Sequence, residues 1–132
     1  MPKSLCWVVG SIALGITAVA CDEGAGPICT LEFLVFGVYV VDGAGTTLPG
    51  LDYTVTISNL GHEVQVDSTI APAADGWYPL VTDSEGALLG QTGSLVRFEG
   101  TNGTLTATGD FLFVAGVCHV EKLSGPDTLV AL

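Results

Sequence analysis

From residue 31 onward, short segments rich in β-forming residues alternate with clusters of turn residues, and no helical period interrupts them. The segment LDYTVTISNL carries an apolar side chain at every second position, which is the period of a half-buried strand. The segment LEFLVFGVYVVD is apolar on both alternations, which indicates a central strand that is covered on both sides or packed at an interface. Turn signals recur about every eight to twelve residues, as in sandwiches of short strands. The pattern predicts an all-β fold, a single Greek-key β-sandwich of about seven strands.

Individual residues refine the positions of several strands. Pro79 has no backbone N–H, so the segment WYPLV is predicted as a short edge strand. The pair Asn102–Gly103 is a strong signal for a hairpin with a two-residue loop. The segment EVQVDSTI alternates and is predicted as a further strand, and DFLFVAGVCHVEKL as one apolar strand bent near Gly116. The sequence pattern does not determine the strand order between residues 82 and 109.

The charge balance excludes one class of partner. The 132 residues include 14 acidic and 3 basic side chains, for a net charge of −11. Such a chain has no basic surface for phosphate backbones, which excludes nucleic acid as a partner. The same charge is repelled by anionic lipid headgroups. Contact with a membrane therefore requires a hydrophobic anchor.

Residues 1–20 have the features of an export signal. Lys3 is their only basic residue, and the run from Leu5 to Ala20 is apolar or small. That run is short for a membrane span, which needs about 20 residues, and suits the core of a signal peptide. The stretch AVAC resembles the lipobox of bacterial lipoproteins, in which the cysteine is diacylated and becomes the mature N-terminus. Ala18 stands where that family usually has Leu. The resemblance implies lipidation of Cys21, with ordinary secretory cleavage and an uncleaved anchor as the alternatives.

Three segments follow from this interpretation: a signal peptide at 1–20, a lipidated cysteine with a flexible tether at 21–28, and a β-sandwich domain at 29–132. The tether DEGAGP is polar and rich in glycine. Acyl chains stabilise membrane attachment by about 0.8 kcal/mol for each buried methylene. The expected location is the cell envelope, as a membrane-anchored protein of the periplasm or the surface, and a secreted protein is the alternative.

The chain has four cysteines, and their positions suggest different roles. Cys6 lies in the predicted leader, and Cys21 would be consumed by lipid. Cys29 and Cys118 remain, an even pair in an exported protein, where disulfides form and persist. We therefore predict a disulfide between them. Two buried free thiols and a metal-binding pair are the alternatives.

One stretch of the sandwich region looks like the start of transthyretin-like, carboxypeptidase regulatory-like domains. Those domains open with a strand, an Asp-x-x-Gly turn, a Pro-Gly step and a second alternating strand. The corresponding pieces here are Val38–Val41, Asp42–Gly45, Pro49–Gly50 and Tyr53–Ile57. The segment DGWYPL is similar to the Gly-x-Tyr strand of these domains, and VCHVEKLSGPDTLVAL is similar to the end of small bacterial lipoproteins whose late cysteine pairs with one before the first strand. The resemblance implies a transthyretin-like or immunoglobulin-like sandwich with a non-catalytic accessory role.

The histidines do not form a recognisable metal motif. His62 and His119 each have a nearby acid, but they lie far apart in the sequence and have no helical spacing. We expect His62 to be a solvated turn residue and His119 to lie on a strand after the second cysteine. No metal and no cofactor are predicted.

Three residues are candidates for binding. Arg97 and Lys122 are the basic residues of the predicted domain, and a lone Arg97 could clamp a carboxylate. The alternative is that Arg97 faces solvent and pairs with Glu99 or another acid. Trp77 and Tyr78 are adjacent, so on a strand they point to opposite faces. One of them is expected in the core, and the other is a candidate for stacking on a sugar or contacting a protein.

The expected function is that of an exported, non-catalytic β-sandwich module for binding or adhesion at the bacterial cell envelope. Its partners would be the membrane, through an N-terminal lipid, and a protein or a carbohydrate. A structural subunit that self-associates by strand addition is a second hypothesis, suggested by the doubly apolar segment LEFLVFGVYVV. An accessory domain of a polymer-degrading system is a third.

Overall fold

A computed structural model describes residues 26–132. The predicted signal peptide, Cys6 and Cys21 lie outside the described residues. Within this range the chain forms eight strands, a 3₁₀ turn at Asp83–Glu85 and one helical turn, α1, at Gly86–Leu89. The strands are β1 Val35–Val41, β2 Asp52–Ile57, β3 His62–Glu63, β4 Trp77–Thr82, β5 Ser94–Thr101, β6 Thr106–Ala115, β7 Val120–Ser124 and β8 Thr128–Val130.

The strands form two sheets, which confirms the predicted all-β sandwich. One sheet has three strands in the order β4-β1-β8, with β1 antiparallel to β4 and parallel to β8. The other has five antiparallel strands in the order β3-β2-β5-β6-β7. The chain crosses between the sheets after β1, β3, β4 and β7, so neither sheet is built from one continuous run of the sequence.

Alternation along the strands builds the core between the sheets. In β5, Val96 and Phe98 are fully buried, while the intervening Arg97 and Glu99 are exposed. This is the period-two burial of a sheet with one face on the core and one in water. The core also includes Val38, Leu89 of α1 and other buried side chains of both sheets, listed here: Val40, Val55, Ile57, Tyr78, Leu80, Val81, Ala107, Phe111, Phe113, Val120 and Leu129.

β1 is the central strand of the smaller, three-stranded sheet, as predicted. Its outer face is not covered, since Tyr39 on that face is 48% exposed. β4 is an edge strand, as Pro79 predicted. Pro79 lies opposite Gly37, next to an irregularity in the β1–β4 register.

Three predicted elements differ from the structure. The β5–β6 hairpin has a four-residue loop, because the Asn102 side chain accepts hydrogen bonds from the Thr104 and Leu105 amides and the register closes at Thr101 and Thr106. The segment predicted as one strand bent near Gly116 is instead the hairpin of β6 and β7. The strand predicted from EVQVDSTI is limited to the short β3, after which residues 64–67 are irregular.

Candidate functional site

The predicted disulfide between Cys29 and Cys118 is present in the structure. Cys29 lies in the segment that leads into β1, and Cys118 lies in the turn between β6 and β7. Their Cα atoms are 5.2 Å apart, although the residues are 89 positions apart in the sequence. The bond therefore joins the point where the chain enters the sandwich to a turn of the five-stranded sheet.

Asp83 lies beside this bridge and receives hydrogen bonds from three separate parts of the chain. Its Oδ2 accepts from the Leu34 amide at 2.9 Å, and its Oδ1 accepts from the Val120 amide at 2.9 Å. The ring of His119 also contacts Oδ2, through Nδ1 at 2.8 Å. The side chain of Asp83 is 15% exposed. One carboxylate thus connects the entry to β1, the end of β4 and the start of β7.

Local sequence explains how Asp83 is placed. Thr82 caps the 3₁₀ turn, since its Oγ1 accepts from the Ser84 amide. The Glu85 carboxylate returns to accept from the backbone amide and the hydroxyl of Thr82. This reciprocal arrangement is a capping box, and it fixes the first turn. Asp83 is held in that turn with its carboxylate toward the segments that it binds.

His119 extends the contacts of Asp83 to the N-terminal segment. Its Nε2 lies 3.0 Å from the Thr30 hydroxyl. When Nδ1 carries the proton, the ring donates to Asp83 and accepts from Thr30. Thr30 follows Cys29 and His119 follows Cys118, so the hydrogen bond and the disulfide join the same two segments.

Opposing influences act on the pKa of Asp83. Burial of the carboxylate raises its pKa. The hydrogen bonds from the Leu34 and Val120 amides and from the His119 ring favour the ionised form, and together they bring the pKa below the usual value for Asp. Asp83 is therefore a carboxylate at neutral pH, with its charge stabilised by fixed donors.

Carboxylate, imidazole and hydroxyl occur here in the same order as in triads that activate a nucleophile. In this protein the carboxylate also holds two backbone amides, and a disulfide joins the residues that precede the hydroxyl and the imidazole. Every member thus connects the segment before β1 to the sandwich. We call Thr30, Asp83, His119 and the Cys29–Cys118 bond the entry clamp.

The adjacent aromatic residues of β4 have different environments. Tyr78 is 1% exposed and is the core member of the pair; its hydroxyl donates to the Leu48 carbonyl and accepts from the Leu51 amide. Its ring is therefore not available to a ligand. Trp77 is partly buried, and its indole lies over Gly37, where a Cβ atom would overlap it. Trp77 shares the outer face of the smaller sheet with Tyr39, its cross-strand neighbour.

Arg97 lies on the outer face of β5 and pairs with the cross-strand Asp110 at 3.2 Å. Both side chains are about half exposed, so the pair contributes little to stability. The alternative that Arg97 faces solvent and pairs with Glu99 or another acid is therefore met by Asp110, because cross-strand neighbours are closer than residues two apart on one strand.

The histidines are not brought together. His62 is exposed, as expected, but lies on β3 rather than in a turn, and His119 lies in the β6–β7 turn rather than on a strand. Within residues 26–132, no group of three or more His, Cys, Asp or Glu side chains is placed to hold a metal ion. None of the helices in that range is long and apolar enough to span a bilayer.

Comparisons with protein-family models, with curated proteins and with solved structures gave no match to this chain. No local pattern in the sequence identifies Asp83 as the centre of a cluster. Thr82 and Glu85 have the T-x-x-E spacing of a capping box, which could have located the turn. The distant partners of Asp83 have no such local signal.

Proposed function

We propose that the protein is an exported, lipid-anchored β-sandwich module that presents a binding or adhesion surface at the cell envelope, without catalysis. The observation that carries the proposal is the disulfide at the point where the chain enters the sandwich. Disulfides persist in oxidising compartments outside the cytosol. This one fixes the segment that follows the candidate lipidation site Cys21, so force on an anchor would be transmitted directly to the sandwich.

The order of the first elements supports a transthyretin-like identity. The Asp42–Gly45 turn and the Pro49–Gly50 step both lie in the connection from β1 to β2, as the resemblance implies. Asp42 stabilises the turn by accepting hydrogen bonds from the Ala44 and Thr46 amides. These contacts are also those of ordinary tight turns, so they support the family assignment only together with the order of the strands.

The edges of the sheets favour a module over a subunit that assembles by strand addition. β1, which contains much of the doubly apolar segment, is central and pairs with β4 and β8. The edge strands are protected in the ways typical of monomeric sheet proteins. β3 has two residues and β8 has three; β4 carries Pro79, and β7 carries the charged Glu121 and Lys122.

The intact mass of the protein extracted from membranes, before and after reduction, tests the proposal. We expect a chain that begins at Cys21 and carries acyl chains, with a gain of two hydrogen atoms on reduction. The Cys21→Ser variant is the matched control and should lack the acyl mass while keeping the disulfide. A native chain that begins at or after residue 21 without acyl chains, or that retains residues 1–20, would refute the lipid anchor.

A further inference from the structure

Four connections meet at the end of the sandwich that carries the disulfide. They are the segment 26–34 before β1, the β2–β3 turn at 58–61, the β4–β5 connection at 83–93, and the β6–β7 turn at 116–119. The strand registers place them together, since Val35 lies opposite Thr82 and Ser94 lies opposite Phe113. We call this the bridge end. The opposite end contains the β1–β2 and β5–β6 connections and the C-terminus.

The bridge end exposes apolar side chains on several of its connections. Ile28 is 92% exposed, Leu31 is fully exposed and Val117 is 79% exposed. Ile28 and Val117 each precede a cysteine of the disulfide, so the bond holds them near each other. Further exposed apolar residues of this end are Phe33, Leu60, Leu88 and Leu95. Apolar groups collected at one end of a soluble domain indicate a contact surface.

Some acidic side chains of the bridge end accept hydrogen bonds within the fold, and others are exposed to solvent. Asp83 accepts hydrogen bonds from Leu34, Val120 and His119, and Glu85 accepts from Thr82. Glu32, Glu63 and Glu121 are exposed there. These charges oppose contact with anionic headgroups, so a zwitterionic lipid surface suits this end better than an anionic one.

The length of the tether restricts what the bridge end can reach. Cys21 precedes Cys29 by eight residues, which span at most about 29 Å when fully extended. The nine steps from Thr106 to Ala115 along β6 span about 31 Å, so even the fully extended tether is no longer than the sandwich. An acyl group on Cys21 would therefore keep the bridge end, rather than the opposite end, close to the bilayer.

We propose that the bridge end rests on the lipid surface, with Ile28, Leu31 and Val117 inserted to the boundary between the headgroups and the acyl chains. The inference depends on the lipid anchor proposed above and adds an orientation to it. In this orientation the opposite end of the sandwich is directed away from the bilayer. The outer face of the smaller sheet, which carries Trp77 and Tyr39, is exposed to solvent along the side of the sandwich.

Two exposed leucines at opposite ends provide a matched test. Leu31→Trp and Leu132→Trp are prepared separately in the lipidated protein, which is reconstituted into phosphatidylcholine vesicles containing brominated acyl chains. The signal of Trp77 is measured in the parent protein and subtracted. We expect quenching of about twofold or more for Leu31→Trp and little for Leu132→Trp, because residues inserted by a few ångströms contact the bromines. Equal quenching at both positions, or none at either, overturns the proposal.

A second comparison separates apolar insertion from proximity caused by the tether. Ile28→Ser with Val117→Ser, added to Leu31→Trp, should abolish most of the quenching. Ile70→Ser with Val130→Ser, two exposed apolar residues away from the bridge end, should leave it unchanged. Quenching that survives the first pair would show that the tether alone brings residue 31 to the lipid, and the proposal would be wrong.

The intact mass of each sample distinguishes a failure of the orientation from a failure of the lipid anchor. A protein that carries acyl chains but shows no quenching refutes the orientation and leaves the anchor intact. A protein without acyl chains refutes both, because the orientation depends on the anchor.

Discussion

Asp83 shows how one side chain can join segments that are distant in the sequence. Its partners Leu34 and Val120 lie 49 and 37 residues away, so no local pattern could reveal the contacts. A charge held by fixed donors also makes stability depend on pH. The pKa of Asp83 is lowered in the folded protein, so its stabilising effect is full above the unfolded pKa of about 3.9 and is lost as pH falls through the folded pKa.

We expect Asp83→Asn to lower the free energy of unfolding at pH 7 by about 1–3 kcal/mol, because donors near the carboxylate lose their charged acceptor. Urea unfolding between pH 7 and pH 3 is the measurement, and the variant should lose less stability on acidification than the parent. Asp52→Asn, at an exposed position of β2, is the control and should change stability little. Parallel pH profiles for Asp83→Asn and the parent would contradict the role of this carboxylate.

Tyr78 connects the core of the smaller sheet to the β1–β2 connection. Its buried hydroxyl bonds to Leu48 and Leu51, so Tyr78→Phe leaves the Leu51 amide without this acceptor. We expect a loss of about 1–2 kcal/mol in urea unfolding. Tyr39→Phe, on the half-exposed outer face of β1, should be nearly neutral. Equal effects of the two changes would show that the hydroxyl bonds of Tyr78 are unimportant.

At the scale of elements, Trp77 and Gly37 form a paired feature of β4 and β1. A side chain at position 37 would overlap the indole, so Gly37→Ala should destabilise the smaller sheet by about 1–3 kcal/mol. In the Trp77→Ala background, Gly37→Ala should lower the free energy of unfolding much less. A double-mutant cycle measures this coupling between the two positions. Gly43→Ala is the control, since a Cβ there meets nothing within 4 Å. Additive effects of the two changes would contradict the close packing.

The elements differ in how far the sequence predicts them. Apolar and polar residues alternate strictly in β2, and its burial follows that alternation, so the short-range pattern is sufficient there. In β5 the burial alternates, but Ser94 is buried and Leu95 is exposed, so residue type alone does not predict the face at the start of that strand. The reversal after β6 was not predicted, because Gly116 suggested a bend whereas the turn is closed by Gly116–His119 pairing and by the distant Cys29. Side chains of the loop decide the length of the β5–β6 connection, where Asn102 accepts from two amides. The local alternation of apolar and polar residues predicts where strands lie, and contacts across the fold decide where they end.

At the scale of the whole molecule, the entry clamp closes most of the domain into a ring. The cysteines are 89 residues apart, and the chain-entropy model assigns a loop of this length a stabilisation of about 4–5 kcal/mol. The pairing itself was predictable, because the cysteine count and the inferred export left one even pair. The hydrogen bonds beside it were not, since Thr30 and His119 are 89 residues apart and lie together only in the folded chain, next to the disulfide.

We therefore expect Cys29→Ser with Cys118→Ser to lower the free energy of unfolding by up to about 4–5 kcal/mol in urea. Reductant should destabilise the parent to a similar extent and leave the double variant unchanged. Because the bond and the Asp83 contacts hold the same segment, their effects should not add. In the absence of the disulfide, Asp83→Asn should lower the free energy of unfolding by less than it does in the oxidised parent, because the entry segment is then no longer held against the sandwich. Full additivity would show that Asp83 holds the sandwich independently of the bridge, and the entry clamp would then be two separate features rather than one unit.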